Sequence, residues 1–486
     1  MQHLFVALIC LFVTICHGAN VTLLSDLQQL NLSSGAEIGL NLSSSIGFTS
    51  RWSSYDAPDY IVGVKPFTHD DVAKVVGFAT KSSTPFLSTG GGHGFSITLG
   101  KLQSGILLDL SNFNNVSVDT NDNTLTIGGA VRFADILEPL DQAQKELPIG
   151  SVSCVGMVGA TLGGGVSRYN GLHGMLLDSL ASVKMVTASG NIVTASTSEN
   201  SELFWGIRGA GFNYGTVLEA TYFIYDHSTP LVLNADFLFA PNASQDILQY
   251  FKTFEIGLPA ELSLIFLAAY ASEFGGSFII VNAVYTGSQS EGEKLLQPLF
   301  NASPKLKNLT MVPWASVNAV SFFGADNEPC TGSTPHNVYG GAVHYFDIPT
   351  FQNFYEDYNE LISSNPVELD GTVYFIEFFA KQAVEAVASN ATAYPWRNIT
   401  AHLLFNFAYD TIGGPLDNKI NQFGRAARKN FTDASGFAQP ELYVSYGHGD
   451  EDLETLYSAQ NLPFLRSLKA EWDPNNVYRY NYPLLP

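Results

Sequence analysis

Positive charge is scarce in this chain: 23 Lys and Arg stand against 45 Asp and Glu among 486 residues, a formal net charge of -22 at pH 7. Nucleic acid and an anionic membrane surface both need a basic footprint, so neither is expected as a partner. Charge of either sign is thin at 14%, while 46% of residues are hydrophobic and 13% aromatic. That balance excludes a disordered chain and describes a well-packed globular one. Cysteine is nearly missing. Of 4 cysteines, Cys10 and Cys16 fall in an apolar N-terminal run, and Cys154 with Cys330 can form one disulfide at most. A large core, not a set of staples, must hold the fold. Long apolar runs are missing as well, and no segment after the first eighteen residues is suited to anchor the chain in a membrane. Internal repeats, low-complexity tracts and charged linkers do not occur, and no metal-ligand pattern is expected.

What the N-terminus does hold is a leader. Leu4 to Cys16 is an apolar run of signal-peptide length, and the small residues Gly18 and Ala19 follow it. Residues 1–18 are therefore read as a signal peptide, with the mature chain secreted or held in the lumen of the secretory pathway. N-x-S/T sequons stand at Asn20, Asn31, Asn41, Asn115, Asn242, Asn301, Asn308, Asn390, Asn398 and Asn430. Chance would supply roughly four, so N-glycosylation on exposed loops is expected.

The rhythm of elements changes along the chain. From Tyr60 it is α/β: Ile61 to Val64 is a strand, and Thr68 caps a helix with Asp71 three residues on. Val72, Val75, Val76 and Ala79 then form the buried stripe of that helix. Pro85 to Ser88 and Ile106 to Leu110 read as strands. Two hairpins follow, one between Val116–Val118 and Leu125–Ile127, the other turning at Ser189-Gly190-Asn191. After Asp226 come longer aromatic-rich strands, Leu264 to Tyr270, Ser277 to Tyr285, Val373 to Phe379 and Ala401 to Tyr409, with helical stretches such as Gln245 to Glu255. These predict a large antiparallel sheet with helices on one face.

Three glycine-rich stretches are read as loops leaving strands: Thr89 to Gly94, Gly150 to Gly174 and Leu203 to Gly215. Such loops are either tight turns of a β-rich protein or nests whose bare N–H groups hold phosphate without basic side chains. The second use suits a chain this poor in Lys and Arg. Neither the dinucleotide fingerprint nor a Walker sequence is present. His93 stands among the glycines, where an imidazole is sterically free and nucleophilic near neutral pH.

Four segments, taken in order, carry a resemblance: Ser88-Thr89-Gly90-Gly91-Gly92-His93; Ile106-Leu107-Leu108-Asp109-Leu110; Gly159-Ala160-Thr161-Leu162-Gly163-Gly164-Gly165; and Leu203 to Gly215. Together they resemble the FAD-binding domain of the vanillyl-alcohol oxidase / p-cresol methylhydroxylase (PCMH-type) flavoproteins. Within these they are similar to the fungal berberine-bridge-enzyme-like oxidases. Tyr443-Val444-Ser445-Tyr446, Gly449-Asp450-Glu451 and Trp472-Asp473-Pro474-Asn475 are similar to that subgroup's closing segment.

The resemblance implies a two-domain α+β fold. Residues 19–55 would form an N-terminal segment, 56–227 the FAD domain and 228–440 an antiparallel-sheet substrate domain. Residues 441–486 would return to the FAD domain. It also implies that Ser88, Thr89, Gly90, Gly91, Gly92, His93 and Gly94 wrap the pyrophosphate, with His93 bonded to the flavin 8α carbon. Gly159, Gly163 and Gly164 would pass along the cofactor, and Val217 would lie near its adenine end. The function implied is that of a monomeric secreted oxidase. It would pass a hydride from a small organic substrate, an aromatic or secondary-metabolite alcohol or a sugar, to FAD, with O2 as acceptor and H2O2 as product. A redox-neutral isomerase or cyclase of secondary metabolism, and a non-catalytic secreted binding protein, are the alternatives.

Two departures from the family pattern matter. Relatives with a second flavin bond carry a cysteine where Val152 stands here. Cys154 is two residues later, roughly 6–7 Å along an extended chain, so it is expected to be a small packed residue and not a flavin ligand. Ser167 stands where Gly-x-Gly is usual, so the loop near Arg168 is expected to differ in shape. For the substrate's proton there are two candidate acceptors, Tyr446 and Glu377. Enzymatic deglycosylation should raise the gel mobility of the secreted protein, whose first residue should lie near Ala19; unchanged mobility would contradict the sequon reading.

Overall fold

A computed structural model describes residues 22–40, 46–271, 276–330 and 334–485. The leader, Asn20 and Asn41 lie outside them. The other eight sequon asparagines are all exposed, as attachment of a glycan requires.

Thr68 caps the helix His69–Ser82 in a capping box with Asp71, and the helix buries Val72, Val75, Val76 and Ala79 as the spacing predicts. It covers a four-stranded sheet ordered Glu37–Leu40, Tyr60–Lys65, Gly105–Asp109, Phe86–Thr89, whose last three strands are parallel. Both expected hairpins form. They are joined through Gly215–Phe223 into a second, antiparallel sheet of five strands.

One glycine stretch departs from expectation. Leu203 to Gly215 does not leave a strand as a loop but lies mostly in the helix Ser201–Ala210, kinked at Arg208 and Gly209. The kink has a packing cause: Gly209 has φ +130, and a Cβ there would strike the backbone of Ala393 and Tyr394.

The larger sheet has seven antiparallel strands. Their order is Leu306–Val312, Val232–Phe239, Gly276–Tyr285, Leu262–Ala271, Val373–Phe379, Ala401–Ala408, His336–Val343. Period-two alternation gives its faces opposite characters. Leu264, Phe266, Tyr374, Ile376, Phe378, Leu403 and Phe405 turn to one side and form a core with Phe251, Phe351, Phe354, Tyr358 and Phe431. Those partners come from the helices Ser244–Lys252, Ile348–Ser363 and Pro415–Ala434. A register row across the other face reads Asp236, Asn282, Ile265, Glu377, His402, Ala342. A polar row on a buried face needs partners: Asp236 and Asn282 find theirs in Asn234, in each other and in Phe322 N, whereas Glu377 takes Ser151 and Tyr446 from the other half of the molecule.

The tail returns as the sequence implies. Leu442, Val444, Leu462, Leu465, Leu468 and Leu484 join the same core as Leu125, Ile127, Met185 and Tyr214. Lys469 fastens it: fully buried, its Nζ donates to Asp473 Oδ2 (2.6 Å), Tyr478 O (2.7 Å) and Asn213 O (2.8 Å). Lys469→Ala should destabilise the protein by about 3–5 kcal/mol, because a buried carboxylate is left without its cation. Chemical denaturation measures this, and a loss below about 1 kcal/mol, typical of an exposed pair, would contradict it.

Candidate functional site

The strand Phe86–Thr89 ends in the first glycine loop, where the backbone is crowded by backbone. A Cβ on Gly90 would lie 2.5 Å from Gly129 O, one on Gly91 2.5 Å from Gly156 N, and one on Gly92 (φ +75) 2.5 Å from Ser50 O. Residues 90–92, 129 and 155–156 therefore meet main chain to main chain, which only glycine allows. Val217 joins this cluster, its carbonyl 2.5 Å from where a Gly129 Cβ would lie. Gly159 faces open space, whereas Gly163 and Gly164 are pressed on Ser445 and Tyr443 of the tail. Ser88 Oγ is engaged by Thr216 Oγ1 at 2.5 Å. Thr89 Oγ1 and Ser445 Oγ are buried, with the phenols of Tyr60 and Tyr443 as their neighbours. A bare-backbone cradle with buried hydroxyls beside it fits a dinucleotide held without Lys or Arg.

His93 follows the left-handed Gly92 and is half-buried. The Trp52 indole lies parallel to its ring at 5.8 Å and to that of His336 at 4.1 Å. Trp52 N donates to Gly92 O (3.0 Å) and Arg51 to Gly94 O, which fixes the loop. Burial, and then the positive Arg132 and Arg51, hold the imidazole at a pKa of about 4. At neutral pH it is uncharged, with a lone pair available for bond formation.

The two candidate proton acceptors are brought together. Tyr446, in the returning tail, donates its phenol hydrogen to Glu377 Oε2 at 2.6 Å, and Ser151 Oγ donates to Oε1 at 3.1 Å. Glu377 is 7% exposed, and burial raises its pKa above the usual carboxylate range, against the hydrogen bonds from Tyr446 and Ser151 and the attraction of Arg168. Burial and the adjoining carboxylate push the Tyr446 phenol far up. The pair thus holds a neutral phenol rather than a tyrosinate. Tyr443, 4.9 Å from Tyr446 between ring centres, accepts from Gly165 N at 3.0 Å. His402, beside Glu377 in the sheet, is kept uncharged by burial, with a pKa of about 3.

Cys154 differs from expectation. It is buried, but as half of a disulfide with Cys330, 176 residues away. The bond ties the loop beside the cradle to the sheet-bearing half. Ser153 N donating to Asp326 Oδ1 (3.0 Å) and Asn318 Nδ2 to Gly150 O (3.0 Å) reinforce the tie. The thiol is consumed, so Cys154 cannot also bond to a flavin. The even pair of cysteines left after the apolar N-terminal run was the available signal. Ser151, Trp52, His336 and His402 were missed, since nothing in their local sequence marks them.

Comparisons with known proteins agree with this geometry. The family described as "FAD binding domain" matches residues 61–196, and "Berberine and berberine like" matches residues 442–484. The FAD-linked oxidoreductase azaL of Aspergillus niger is 41% identical over 452 residues, covering 92% of this chain and 95% of that one. The FAD-linked oxidoreductase fogF of Aspergillus ruber is 34% identical and covers 99% and 97%. Among solved structures, Physcomitrella patens BBE-like 1 superposes with a TM-score of 0.81 at 20% identity, covering 95% of this chain and 99% of that one. Glucooligosaccharide oxidase from Acremonium strictum, whose FAD is described as 6-S-cysteinyl and 8α-N1-histidyl, does so with a TM-score of 0.78 at 22% identity, covering 93% and 97%. The last two show the shared fold. With the cradle, the buried pair and relatives matched along nearly their whole length, the chain belongs to the berberine-bridge-like, PCMH-type family and is an FAD-dependent oxidoreductase.

Proposed function

We propose that this protein is a secreted oxidase that dehydrogenates a small, largely apolar alcohol, with FAD bonded through His93 alone and O2 as the final acceptor. The observation that carries the proposal is the 2.6 Å hydrogen bond from Tyr446 to Glu377 inside a buried interface. An alcohol loses a hydride and a proton. FAD held at the cradle would supply the two-electron acceptor for the hydride, with O2 as the final oxidant. Glu377 is the sink for the proton: as the substrate hydroxyl gives its proton to Tyr446 Oη, Tyr446 passes its own to Glu377 Oε2. Ser151 holds the other carboxylate oxygen, so the accepting one stays aimed at the phenol. With O2 the sum is alcohol plus O2 giving carbonyl compound plus H2O2. Phe322 and Phe375, partly buried against the same apolar cluster as Tyr446, support an apolar substrate.

For the covalent bond, the support is the uncharged His93 at the cradle and the family's fold. A single bond is favoured because Val152 has no thiol and Cys154 is oxidised to Cys330. After acid precipitation, flavin should stay with the wild-type chain and with Cys154→Ala, and leave with His93→Ala. Flavin in the wild-type supernatant would contradict this.

Tyr446→Phe and Glu377→Gln should each slow anaerobic flavin reduction by roughly 10²- to 10⁴-fold with the oxidised flavin spectrum little changed. Peroxide should appear in aerobic turnover of the wild type. Unchanged reduction in both variants, or turnover without peroxide, would remove the proposal.

A further inference from the structure

Arg168 is the one sealed cation beside the pair. Only 4% of it is exposed, and Nε, Nη1 and Nη2 are all buried with no hydrogen-bond partner. The guanidinium sits over the Phe322 ring, 5.6 Å from its centre. Phe322 is held in a left-handed conformation (φ 55) while its N–H donates to Asp236 Oδ1 at 2.8 Å. An Arg placed this way is costly unless a negative charge compensates it across space. Burial lowers its pKa only to about 10, so it remains a cation at neutral pH.

Four groups attract it: Glu377 most, then Tyr169, Asp236 and Asp326. Tyr169 is pushed up by burial and carries no charge. Asp236 already accepts from Asn234, Asn282 and Phe322 N, and Asp326 from Ser153 N. Glu377 likewise has only neutral donors, the hydroxyls of Tyr446 and Ser151. The other titratable groups facing it, His402 and Tyr443, are held neutral by burial. The cation that acts on Glu377 is Arg168, and Arg168 in turn is drawn most strongly to Glu377, with Asp236 and Asp326 behind it.

We propose that Arg168 is a positioning residue that keeps Glu377 ionised and so sets the pH above which the Tyr446–Glu377 pair can take the substrate's proton. This rests on the reading of Glu377 as proton acceptor. Without a nearby cation a buried carboxylate holds its proton to higher pH, and a protonated Glu377 accepts nothing. The flavin-reduction rate should therefore fall on the acid side, along a limb that follows Glu377.

The test is the pH dependence of anaerobic flavin reduction in the flavin-loaded protein. Arg168→Met should move the acid limb up by about one pH unit or more, which is about tenfold slower reduction below the limb, and leave the alkaline plateau in place. Arg168→Lys keeps the charge and should leave the limb near its wild-type position. A rate lowered equally at all pH values, with the limb unmoved, would overturn the proposal and leave Arg168 a packing residue. Should Arg168→Met fail to accumulate, Arg168→Met/Glu377→Gln should accumulate, since both buried charges are then gone. Failure of that double variant also overturns it. Glu377→Gln alone separates the two ideas: wild-type reduction in it would sink the reading of Glu377, whatever Arg168 does.

Discussion

The hydrogen bond between Tyr446 and Glu377 constrains everything around it. One partner comes from the tail that closes the FAD-side core, the other from the middle of the seven-stranded sheet. A contact of 2.6 Å between elements 69 residues apart needs both halves to be held rigidly. Three features do so. Lys469 locks the tail, the Cys154–Cys330 bond locks the loop beside the cradle, and the helices behind the sheet fill a continuous aromatic core. A proton acceptor a few tenths of an ångström out of place would lose most of its use, so this rigidity is a catalytic requirement as well as a stabilising one.

The sheet reconciles two opposed demands by alternation. Facing the helices it carries Tyr374, Ile376 and Phe378; facing the FAD side it carries Glu377 and His402. Burying a carboxylate there raises its pKa, which makes it a stronger base but keeps more of it protonated. The neutral donors Tyr446 and Ser151 and the sealed Arg168 act against that protonation. At the other end of the site the same physics acts on His93: burial and neighbouring cations remove its proton and leave a neutral nitrogen. Desolvation thus prepares an acceptor for a proton in one place and a nucleophile in the other.

Much of the fold could be read from residues. The Thr68–Asp71 cap, both hairpins and the long strands appear where spacing puts them, because each is dictated by neighbours close in sequence. Glu377 within Tyr374-Phe375-Ile376-Glu377-Phe378-Phe379 could be singled out as an acid among aromatics. Its bond to Tyr446 could not, since no local pattern encodes a contact between the sheet and the tail. The Cys154–Cys330 pairing is long-range in the same way. Over Leu203 to Gly215 glycine frequency misleads, because it does not mark a loop there. Its glycines instead let the helix pass close to Leu468, Tyr214 and Tyr394. Arg168 was visible only as a residue in a loop expected to differ in shape; its isolation from every acceptor emerges from packing alone.

The account holds that two protons move when substrate is oxidised, one from the hydroxyl to Tyr446 and one from Tyr446 to Glu377. A proton inventory of anaerobic flavin reduction in mixtures of H2O and D2O, measured above the acid limb, tests that claim most directly. A plot of rate against deuterium fraction should bow below a straight line, and the curvature should disappear in Tyr446→Phe. A straight line, or the same curvature in the variant, would contradict the relay.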